Sequence, residues 1–527
     1  MWWKRLRALA QTVVGGAAIM ALASLLSRLI GLVRENLFAQ ILGAGAVLDM
    51  YNAAFQVPDF IFNIVVLGAL SASFIPIYIE RRTQGSTAEA NRLASSVLNI
   101  ITLGLIVCTV IGLVLSNPIA HWLMANRPLE QQVGTAQLMR IMLLSVICFG
   151  ISNVFSGILQ AKRQFIAFAL APILYNVGII IGIIWLYPKF GVVGLAYGVI
   201  LGALLHLTIQ GVAVFSTGFH YQPWASWRTP GVKKLLRLMP PRALALGITQ
   251  VNAIIITAYA LRLSVGNLTI WKWADNLQNV PINMFGVSLA ISAFPIFSQA
   301  FAEQDLPKFK QVFSNNFRRL LFLIIPISVV ILLLRAQIVR LILGLGSGAF
   351  DWTATIATAQ VLGIFSIALF AQASIPLLAR SFFAHQDTKT TVVISIISVL
   401  TNLLLANSLS QWYGLYGLAL AFSISSVLNM LLLLGALRLK FGDLEDNAII
   451  QAVLRISLAT ISTGFVIHGL KYLVAPLVDM QTYVGILIQT LVSMVGGAII
   501  YMGLAYIFQF PELNIVKQSL IKLKRLL

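Results

Sequence analysis

The sequence has few charged residues for its length. Only 10% of its 527 residues are Asp, Glu, Lys or Arg, whereas about 25% is usual in soluble proteins. Hydrophobic residues make up 59%. Cysteine is scarce too: Cys108 and Cys148 both lie in apolar runs, so a disulfide framework is not indicated and both residues are expected to pack. The composition therefore argues against an ordinary soluble protein and indicates one that lies in a membrane.

The sequence also lacks the motifs of most membrane enzymes. It has no G-x-x-x-x-G-K-[ST] loop for nucleotide phosphates, no D-x-D in an extramembrane loop and no cluster of His with acidic residues. No gap between its apolar stretches is long enough for a soluble catalytic domain. We therefore predict that the protein is not an enzyme, needs no cofactor and is not driven directly by ATP.

Apolar stretches long enough to cross a bilayer as helices follow one another along the chain. The fourteen predicted spans cover residues 12–42, 47–79, 93–116, 133–160, 165–187, 191–216, 235–263, 268–299, 318–345, 354–383, 389–410, 414–437, 448–473 and 482–509. The basic start of residues 1–24 resembles a signal peptide, but its apolar run continues to Gly43, which favours a retained first helix. The predicted fold class is an all-α polytopic membrane protein.

Basic residues outnumber acidic residues by 36 to 16, and they are unevenly placed. An even number of spans puts both termini on one side, and 24 of the 36 basic residues then fall on that side, against about four on the other. Because basic loops stay on the cytoplasmic side, both termini are predicted to be cytoplasmic. The net charge of +20 then reflects topology and lipid contact, which argues against nucleic acid as a partner.

Several motifs recur at a spacing of 223 residues. The pairs are Val57-Pro58 with Val280-Pro281, GVVGLA at 191–196 with GLYGLA at 414–419, Gly43 with Gly266, and Ala161 with Ala384. A shared offset at four places predicts two parallel lobes of six helices each, followed by two additional helices. Such repeats are typical of secondary transporters, which bind their substrate between the repeats.

The predicted organisation has four parts. They are an N-terminal lobe at 1–220, a C-terminal lobe at 221–442, helices 13 and 14 at 443–510, and a basic tail at 511–527. The apolar residues of the tail fall at helical spacing opposite lysines, which predicts an amphipathic helix on the anionic inner leaflet. A tail that binds a partner is the alternative.

Charged residues interrupt the first two predicted spans. Arg28, Arg34 and Asp49 lie within or beside apolar sequence, where a charge is costly and is expected to face a partner or a watery cavity. Asp49 is also the repeat equivalent of Lys272. One hypothesis is that these two residues approach each other when the outer side closes. The alternative is that each extends from a helix end to the membrane interface.

Two polar residues in other spans have a simple interpretation. Asn176 and His206 lie in the fifth and sixth predicted spans. Hydrogen bonding to a neighbouring helix is the default expectation for both residues. A role of His206 in proton relay is the alternative.

The motif at residues 27–78 resembles the MurJ (MviN) family of lipid II flippases. The run SRLIGLVRENLFAQILGAGAVLDMYNAAFQVPDFIFNIVVLGALSASFIPIY contains the family elements S-R-x-x-G-x-x-R-[DE], G-A-G-x-x-x-D and G-A-[LF]-S-x-[SA]-F-[IV]-P. The later segments WADNLQNVPINMFGVSLAISAFPIFS and RSFFAHQDTKT resemble the family at the right distances. The resemblance implies the fold of the multidrug/oligosaccharidyl-lipid/polysaccharide exporter superfamily.

The activity that the resemblance implies is the flipping of a lipid-linked peptidoglycan precursor. The precursor would pass from the inner to the outer leaflet of the bacterial cytoplasmic membrane by alternating access. Its partners would be a polyprenyl-pyrophosphate-linked headgroup and membrane lipids, and the protein would be a monomer. The alternatives are a flippase for another polyprenyl-linked glycan and an antiporter for drugs or small solutes.

The resemblance also implies which residues contact the substrate. Ser27, Arg28, Arg34 and Asp49 match charged or adjacent positions of the family's cavity motif. Guanidinium groups suit a pyrophosphate because they offer several donors in a fixed fork and stay charged when partly desolvated. The alternative is that each arginine forms an ion pair that only holds the lobe together. The candidate partners for such a pair are Glu35, Asp49 and Asp59.

Several positions depart from the pattern of many family members. Asn63 and Asn276 stand where those members have arginines, and Leu67 stands where they have a glutamate. Lys272 and Asp275 are the charged residues near Asn276, and Lys272 can replace a lost arginine only as a point charge. All of them except Leu67 are candidate substrate contacts, and the exact headgroup is left open.

The coupling ion is also left open. Some family members are thought to bind sodium through an aspartate in the seventh span, where this chain has Ile256. Membrane potential is another driver, since moving one charge across it is worth about 2.3 kcal/mol per 100 mV. No metal site is predicted.

Predicted helices 13 and 14 have no counterpart in the repeat. The resemblance implies that they line an apolar groove, which keeps the long polyprenyl tail in lipid while the headgroup crosses. The alternative is that they only buttress the second lobe.

Overall fold

The computed structural model describes residues 13–67, 74–224, 226–346 and 348–513. Within these ranges every regular element is helical and none is a strand, which confirms the predicted all-α class. The chain packs as two compact units. The first comprises Met1–Thr269 with Gly348–Phe350, and the second comprises Ile270–Ser347 with Asp351–Leu527.

The first unit is built from ten helices and the first residues of an eleventh. They are α1 (Val13–Leu42), α2 (Ala46–Ala54), α3 (Gln56–Ile61), α4 (Phe74–Gln84), α5 (Thr87–Leu123), α6 (Leu129–Ala161), α7 (Phe165–Ile181), α8 (Tyr187–Phe190), α9 (Val192–Ser216), α10 (Val232–Arg262) and α11 (Asn267–Pro281). The π-helical turns Phe62–Leu67 and Gly182–Leu186 follow α3 and α7. Among the described helices, α6 packs against both α5 and α9, and α7 packs against both α9 and α1.

Glycines allow the backbones of α7 and α9 to touch. A Cβ atom added to Gly178 would lie 2.3 Å from Gly202 Cα, and one added to Gly198 would lie 2.6 Å from Gly182 Cα. Real Cβ atoms do not approach so closely, so only glycine fits these positions. Small residues spaced four apart are a common way for membrane helices to pack without side chains between them.

Helix α10 belongs to the first unit, although its sequence lies in the predicted C-terminal lobe at 221–442. It packs against α5 and against the π-helical turn Phe62–Leu67. The boundary between the compact units therefore lies after Thr269 rather than after residue 220. A repeat in sequence and a division by packing need not coincide, and the predicted lobe boundaries stay a prediction.

The second unit continues α11 and adds seven helices. They are α12 (Ser288–Ala302), α13 (Leu306–Leu343), α14 (Trp352–Ile367), α15 (Leu369–Ala384), α16 (Thr388–Phe441), α17 (Asp446–Val474) and α18 (Tyr483–Ile507). The π-helical turn Ile282–Val287 joins α11 to α12. Gly414, with φ 55° and ψ −130°, interrupts α16 at the junction of the two spans predicted there.

Helices α17 and α18 correspond to predicted spans 13 and 14, and both pack on α13. The buried Tyr501 hydroxyl of α18 donates to the Phe322 carbonyl of α13 at 2.8 Å. Near the other end, α13 has a kink at Leu334. Arg335 Nη1 and Lys471 Nζ donate to the carbonyls of Leu332 and Leu333 beside that kink. These cations satisfy backbone acceptors at the distorted turn.

The repeat is also visible in the backbone. Positive φ angles recur at the predicted spacing of 223 residues, in the pairs Gly43 (63°) and Gly266 (88°), Arg163 (57°) and Gln386 (58°), and Gly191 (60°) and Gly414 (55°). A π-helical turn follows each Val-Pro pair, within a few residues of the proline. Proline lacks an N–H donor and therefore interrupts the regular helical hydrogen bonds around it. The proline of each Val-Pro pair thus explains why a π-helical turn occurs at both positions.

Where the structure describes them, the predicted spans fall on helices, but those at 389–410 and 414–437 share the single helix α16. By length and composition, nine helices in the described residues are apolar enough to cross a membrane, and a tenth span is the pair α14 and α15, bent by 50°. The chain is a multi-pass membrane protein, and the count of fourteen spans stays a prediction. The tail at 511–527 lies outside the described residues beyond Leu513, as does the start of the possible signal sequence, so both predictions stay open.

Candidate functional site

The two arginines of α1 have different surroundings. Arg28 is exposed, and within the described parts of the chain it has no hydrogen-bond or ion-pair partner. Ser27 beside it is half-buried. A guanidinium without a partner keeps all five of its N–H donors available. Arg28 is therefore a predicted contact that can bind a phosphate group without first breaking another interaction.

Arg34 is held by two side chains of the first unit. Its Nη2 donates to Glu35 Oε1 at 2.6 Å, and its Nη1 donates to Asn176 Oδ1 of α7 at 3.0 Å. Asn176 Nδ2 also donates to the Pro172 carbonyl one turn earlier. The structure thus contains the ion pair with Glu35 that was the alternative for this arginine, and it confirms the interhelical hydrogen bond predicted for Asn176. The sequence did not indicate that Arg34 and Asn176 meet.

Asp49 is buried and binds the beginning of α11. Only 1% of its surface is exposed. Its Oδ2 accepts the backbone N–H of Gly266 at 2.7 Å, and its Oδ1 accepts the N–H and hydroxyl of Thr269 at 3.0 and 2.9 Å. The first N–H groups of a helix have no partner within the helix and favour a negative charge. Asp49 therefore caps α11 from a different part of the chain.

Gly266 allows this close approach. Its φ of 88° lies in the left-handed region, and a Cβ atom there would lie 2.4 Å from the Ala44 carbonyl oxygen. Any other residue would strain the backbone and clash with the turn before α2. The repeat glycine predicted from sequence is thus required by the geometry around Asp49.

Arg127 completes the arrangement and was missed as a functional candidate. Its Nη2 lies 3.7 Å from Asp49 Oδ2, and its Nε and Nη2 donate to the carbonyls of Leu261 and Ser264 at 2.9 Å. These carbonyls lie at and just beyond the end of α10, where a cation is favourable. The signal in the sequence was weak: Arg127 is one of about four basic residues on the predicted outer side.

Asp49 and Lys272 have different surroundings in the structure. Asp49 is too buried and too well hydrogen-bonded to extend to the membrane interface, so that alternative is wrong for Asp49. Lys272 lies three residues after Thr269 on α11 and is half-buried, with no hydrogen-bond partner in the described parts of the chain. The predicted approach of Asp49 to Lys272 stays a prediction.

Asp275 and Asn276 are the other candidate substrate contacts on α11. Asp275 Oδ1 accepts Gln278 Nε2 at 2.9 Å, and its carbonyl accepts Asn279 Nδ2 at 2.9 Å. Asn276 is exposed. Lys272 and Asp275 are three residues apart, so their opposite charges lie on one side of the helix. Their predicted contact with substrate stays a prediction.

Asn63 takes part in a polar contact inside the first unit. Its Nδ2 donates to the Asp59 carbonyl at 2.8 Å and lies 3.2 Å from Gln250 Oε1 of α10. Leu67 is the last residue of the same π-helical turn. The position where many family members have an arginine is therefore filled here by an amide that pairs with another amide.

His206 has the partner expected of a structural histidine. Its Nδ1 lies 2.7 Å from the Ser152 hydroxyl of α6, and its ring packs on Phe149 with centroids 5.3 Å apart. These contacts match the interhelical hydrogen bond that was the default expectation. Among the described residues, no group of three or more His, Cys, Asp and Glu side chains is placed to hold a metal ion.

An apolar groove of about 420 Å³ lies in the second unit. Its lining residues come from α13, α15, α16 and α17: Phe317, Leu321, Ile325, Phe370, Met430, Leu434, Ile449, Val453 and Ser457. All of them except Ser457 are apolar, so the groove suits a hydrocarbon chain better than water. Helix α17, which corresponds to predicted helix 13, lines this groove. Helix α18, which corresponds to predicted helix 14, contributes no lining residue.

A family model for this fold matches most of the chain. Residues 38–493 match the model of the family described as lipid II flippase MurJ. The chain belongs to the MurJ family. This result confirms the resemblance that was carried by the motif at residues 27–78.

Curated MurJ relatives are similar along almost their full length. A protein of Bdellovibrio bacteriovorus described as a probable lipid II flippase MurJ is 27% identical over 516 residues, which is 96% of this chain and 97% of that protein. The lipid II flippase MurJ of Burkholderia cenocepacia is 27% identical and covers 85% of this chain and 87% of its own.

Solved structures show the same fold. A MurJ lipid II flippase in an inward closed conformation superposes with a TM-score of 0.76 at 24% identity, covering 93% of this chain and 98% of its own. An inward-facing multidrug resistance transporter of the MATE family, in the MOP superfamily, superposes with a TM-score of 0.66 at 16% identity, covering 80% and 96%. The fold of this chain is thus shared with both of these solved structures.

Proposed function

We propose that this protein flips lipid II from the inner to the outer leaflet of the bacterial cytoplasmic membrane. The observation that carries the proposal is the MurJ family match over residues 38–493, together with relatives aligned end to end. The Bdellovibrio protein is described as a probable lipid II flippase MurJ. The Burkholderia protein is described as a lipid II flippase MurJ. The likeness to both MurJ and MATE structures supports alternating access as the mechanism.

Arg28 and Arg34 bind the pyrophosphate of the substrate in this proposal. Arg28 makes the first contact, because its guanidinium has no competing partner in the described residues. Arg34 keeps its place through Asn176 and Glu35, and exchanges the Glu35 carboxylate for a phosphate oxygen when substrate arrives. Guanidinium groups bind phosphate through paired hydrogen bonds, which a lysine does not provide.

The polyprenyl tail lies in the apolar groove of the second unit while the headgroup crosses. The groove offers aromatic and aliphatic side chains from four helices and one hydroxyl, that of Ser457. The tail keeps apolar surroundings there, as it has in the bilayer, so the headgroup can cross without exposing the tail to water. In this proposal helix α17 forms the groove and α18 supports α17.

In this proposal Asp49 helps to close the outer side of the protein. Its hydrogen bonds to Gly266 and Thr269 hold the start of α11 next to α2. We propose that these bonds break when the outer side opens, which leaves the Asp49 carboxylate in contact with water and the charged headgroup. Lys272, one turn into α11, is then a second cation with which Asp49 can pair, in addition to Arg127, which lies 3.7 Å from it in the structure.

The proposal also includes the orientation of the protein in the membrane and the energy source for transport. Both termini lie in the cytoplasm, as the distribution of basic residues predicts, and the protein acts as a monomer without nucleic acid. It performs transport rather than catalysis and uses no cofactor. The side chain of Ile256 cannot bind sodium. We therefore propose that the membrane potential, acting on the charged headgroup, drives transport.

The test is complementation of bacteria depleted of their own lipid II flippase. Outer-leaflet exposure of lipid II is measured for the wild type and for Arg28→Gln, Arg34→Ala and Asp49→Ala. The expected result is exposure with the wild type and little or none with the three variants. Lys189→Gln, which removes an exposed charge in the first unit, is the control and should behave as the wild type.

A second candidate is the flipping of another polyprenyl-linked glycan. It is favoured by Asn63, whose amide pairs with Gln250 and offers no guanidinium to the headgroup. Stable insertion of the wild type into the membrane without any exposed lipid II would overturn the first proposal and favour this one. Exposure that persists in all three variants would contradict the proposed route through α1.

A further inference from the structure

A small basic pocket lies in the second unit, between α13, α17 and the segment that follows α18. Its volume is about 200 Å³. Its charged and amide lining residues are Arg318, Gln451, Arg455 and Glu512. The apolar groove lies on a different face of α17 and extends to α15 and α16 instead. None of the pocket residues takes part in the proposed route of the substrate.

Arg318 is incompletely satisfied. Its Nη2 donates to Asn315 Oδ1 at 2.6 Å, and its Nη1 lies 3.5 Å from Glu512 Oε1. Its Nε is buried and has no hydrogen-bond partner within the described residues. Buried donors normally have a partner, so an orphaned N–H beside a cavity indicates that something else can occupy the cavity.

Arg455 is the second cation of the pocket. It is exposed and has no hydrogen-bond or ion-pair partner in the described ranges. Gln451 lies one turn before it, and both residues are in the first three turns of α17, which begins at Asp446. With two arginines against Glu512, the lining has a net charge of +1, which suits an anion with one negative charge.

The surroundings favour a lipid over a soluble anion. Ile456 and Phe510 complete the pocket with apolar surface. Leu454 and Leu458, beside the pocket residues on α17, are 59% and 62% exposed and offer a surface for acyl chains. The predicted topology puts this end of α13 and α17 on the cytoplasmic side, where anionic lipids are concentrated and basic pockets between helices bind their headgroups.

We propose that this pocket binds the phosphate of an anionic phospholipid from the cytoplasmic leaflet. The phosphodiester accepts hydrogen bonds from Arg318, Arg455 and Gln451, and the acyl chains lie along α17. Glu512 competes with the lipid for Arg318, because its carboxylate already faces that guanidinium. Removing charge at Arg455 and removing charge at Glu512 should therefore have opposite effects.

The test uses the full-length protein and measures lipid retention by native mass spectrometry. Phosphatidylglycerol is the anionic probe, and phosphatidylcholine is the zwitterionic one. Phosphatidylglycerol should be retained in preference. Arg455→Gln should weaken its retention about fivefold, the effect of one basic residue near an anionic surface, whereas Glu512→Gln should strengthen it. Lys389→Gln, an exposed charge elsewhere in the second unit, is the matched control and should leave it unchanged.

Three results would overturn the proposal. One is equal retention of the two lipids by the wild type. Another is unchanged retention in both Arg455→Gln and Glu512→Gln, each confirmed as folded by its melting temperature. The third is complete displacement of phosphatidylglycerol by millimolar inorganic phosphate, which would assign the pocket to a soluble anion. Because no step of this test depends on flipping, its failure would leave the proposed function untouched.

Discussion

Asp49 and Arg127 hold the two sides of one turn. The Asp49 carboxylate binds the N–H groups at the beginning of α11, the Arg127 guanidinium binds carbonyls at the end of α10, and the two charges lie 3.7 Å apart. Each charge thus has the sign that its helix end favours. The turn between α10 and α11 is therefore stabilised by a charge at each of its two helix ends.

The first prediction concerns this turn. Arg127→Lys should lower the melting temperature of the detergent-solubilised protein, because a lysine ammonium cannot reproduce the planar fork that serves two carbonyls and faces Asp49. The expected cost is about 1–3 kcal/mol, the range for leaving buried polar groups unsatisfied. Arg262→Lys is the control, since Arg262 is exposed in the same region. Equal melting temperatures for the two variants would show that Arg127 does not hold the turn.

The second prediction separates the two arginines of α1. Arg28→Gln should abolish lipid II exposure in the complementation assay without changing the melting temperature, because no described residue depends on Arg28. Arg34→Gln should reduce both, because Glu35 and Asn176 then lose their partner. Arg28→Lys should give an intermediate rate, since it keeps the charge but not the paired donors. Full exposure with Arg28→Gln would remove this residue from the proposed headgroup site.

The third prediction concerns the contact between α7 and α9. Gly198→Ala should destabilise the first unit, because the new methyl group would lie 2.6 Å from Gly182 Cα and force the helices apart. Overpacking of this kind typically costs about 1–3 kcal/mol. Gly104→Ala is the control: a Cβ at Gly104 meets no described atom within 4 Å. A melting temperature of Gly198→Ala equal to that of the control would contradict the close contact.

The fourth prediction concerns pH. His385 lies in the turn after α15, with Phe309 and Phe441 at centroid distances of 4.5 and 4.3 Å. Burial lowers the pKa of His385, although its hydrogen bond to the Ser381 carbonyl acts in the opposite direction. The unfolded chain therefore binds a proton more readily than the folded one, and the free energy of unfolding should decrease as the pH falls below about 6.5.

Melting temperatures between pH 8 and pH 5 test this prediction. His385→Phe should give a flatter profile over that range, because the titrating group is gone and the aromatic packing is kept. Asp387 nearby responds at lower pH: burial raises the pKa of its carboxyl, but hydrogen bonds from Lys440 and Thr390 outweigh burial and lower it. Its contribution is therefore still present at pH 5. Identical slopes for the wild type and His385→Phe would rule out His385 as the cause.

The sequence predicted the helices well because hydrophobic length is a strong signal. It also predicted the repeat, since glycines such as Gly191 and Gly414 are needed wherever φ is positive. It did not predict the interruption of the second span at Phe55 and at the π-helical turn, because a break inside an apolar run changes neither length nor composition.

The site was predicted only in part. Arg34 and Asp49 were found because charges in apolar sequence are conspicuous, but their partners were not. Asn176 is 142 residues from Arg34, and Gly266 is 217 residues from Asp49. Such pairs form through folding, and a single sequence has no local signal for them. Arg127 was missed for a related reason: it lies in a loop, where a basic residue is ordinary.

The glycine contact between α7 and α9 has a consequence for movement. Where backbones touch directly, there are no rotamers that can adjust to a change in helix position. We therefore expect the two helices to move together in a transport cycle. Among the described residues of the first unit, α2, α3 and the π-helical turn Phe62–Leu67 form one region of irregular helical hydrogen bonding, where bending is easier. Asp49 and Asn63 lie in these short segments. The region where bending is easier therefore also makes the polar contacts to α10 and α11.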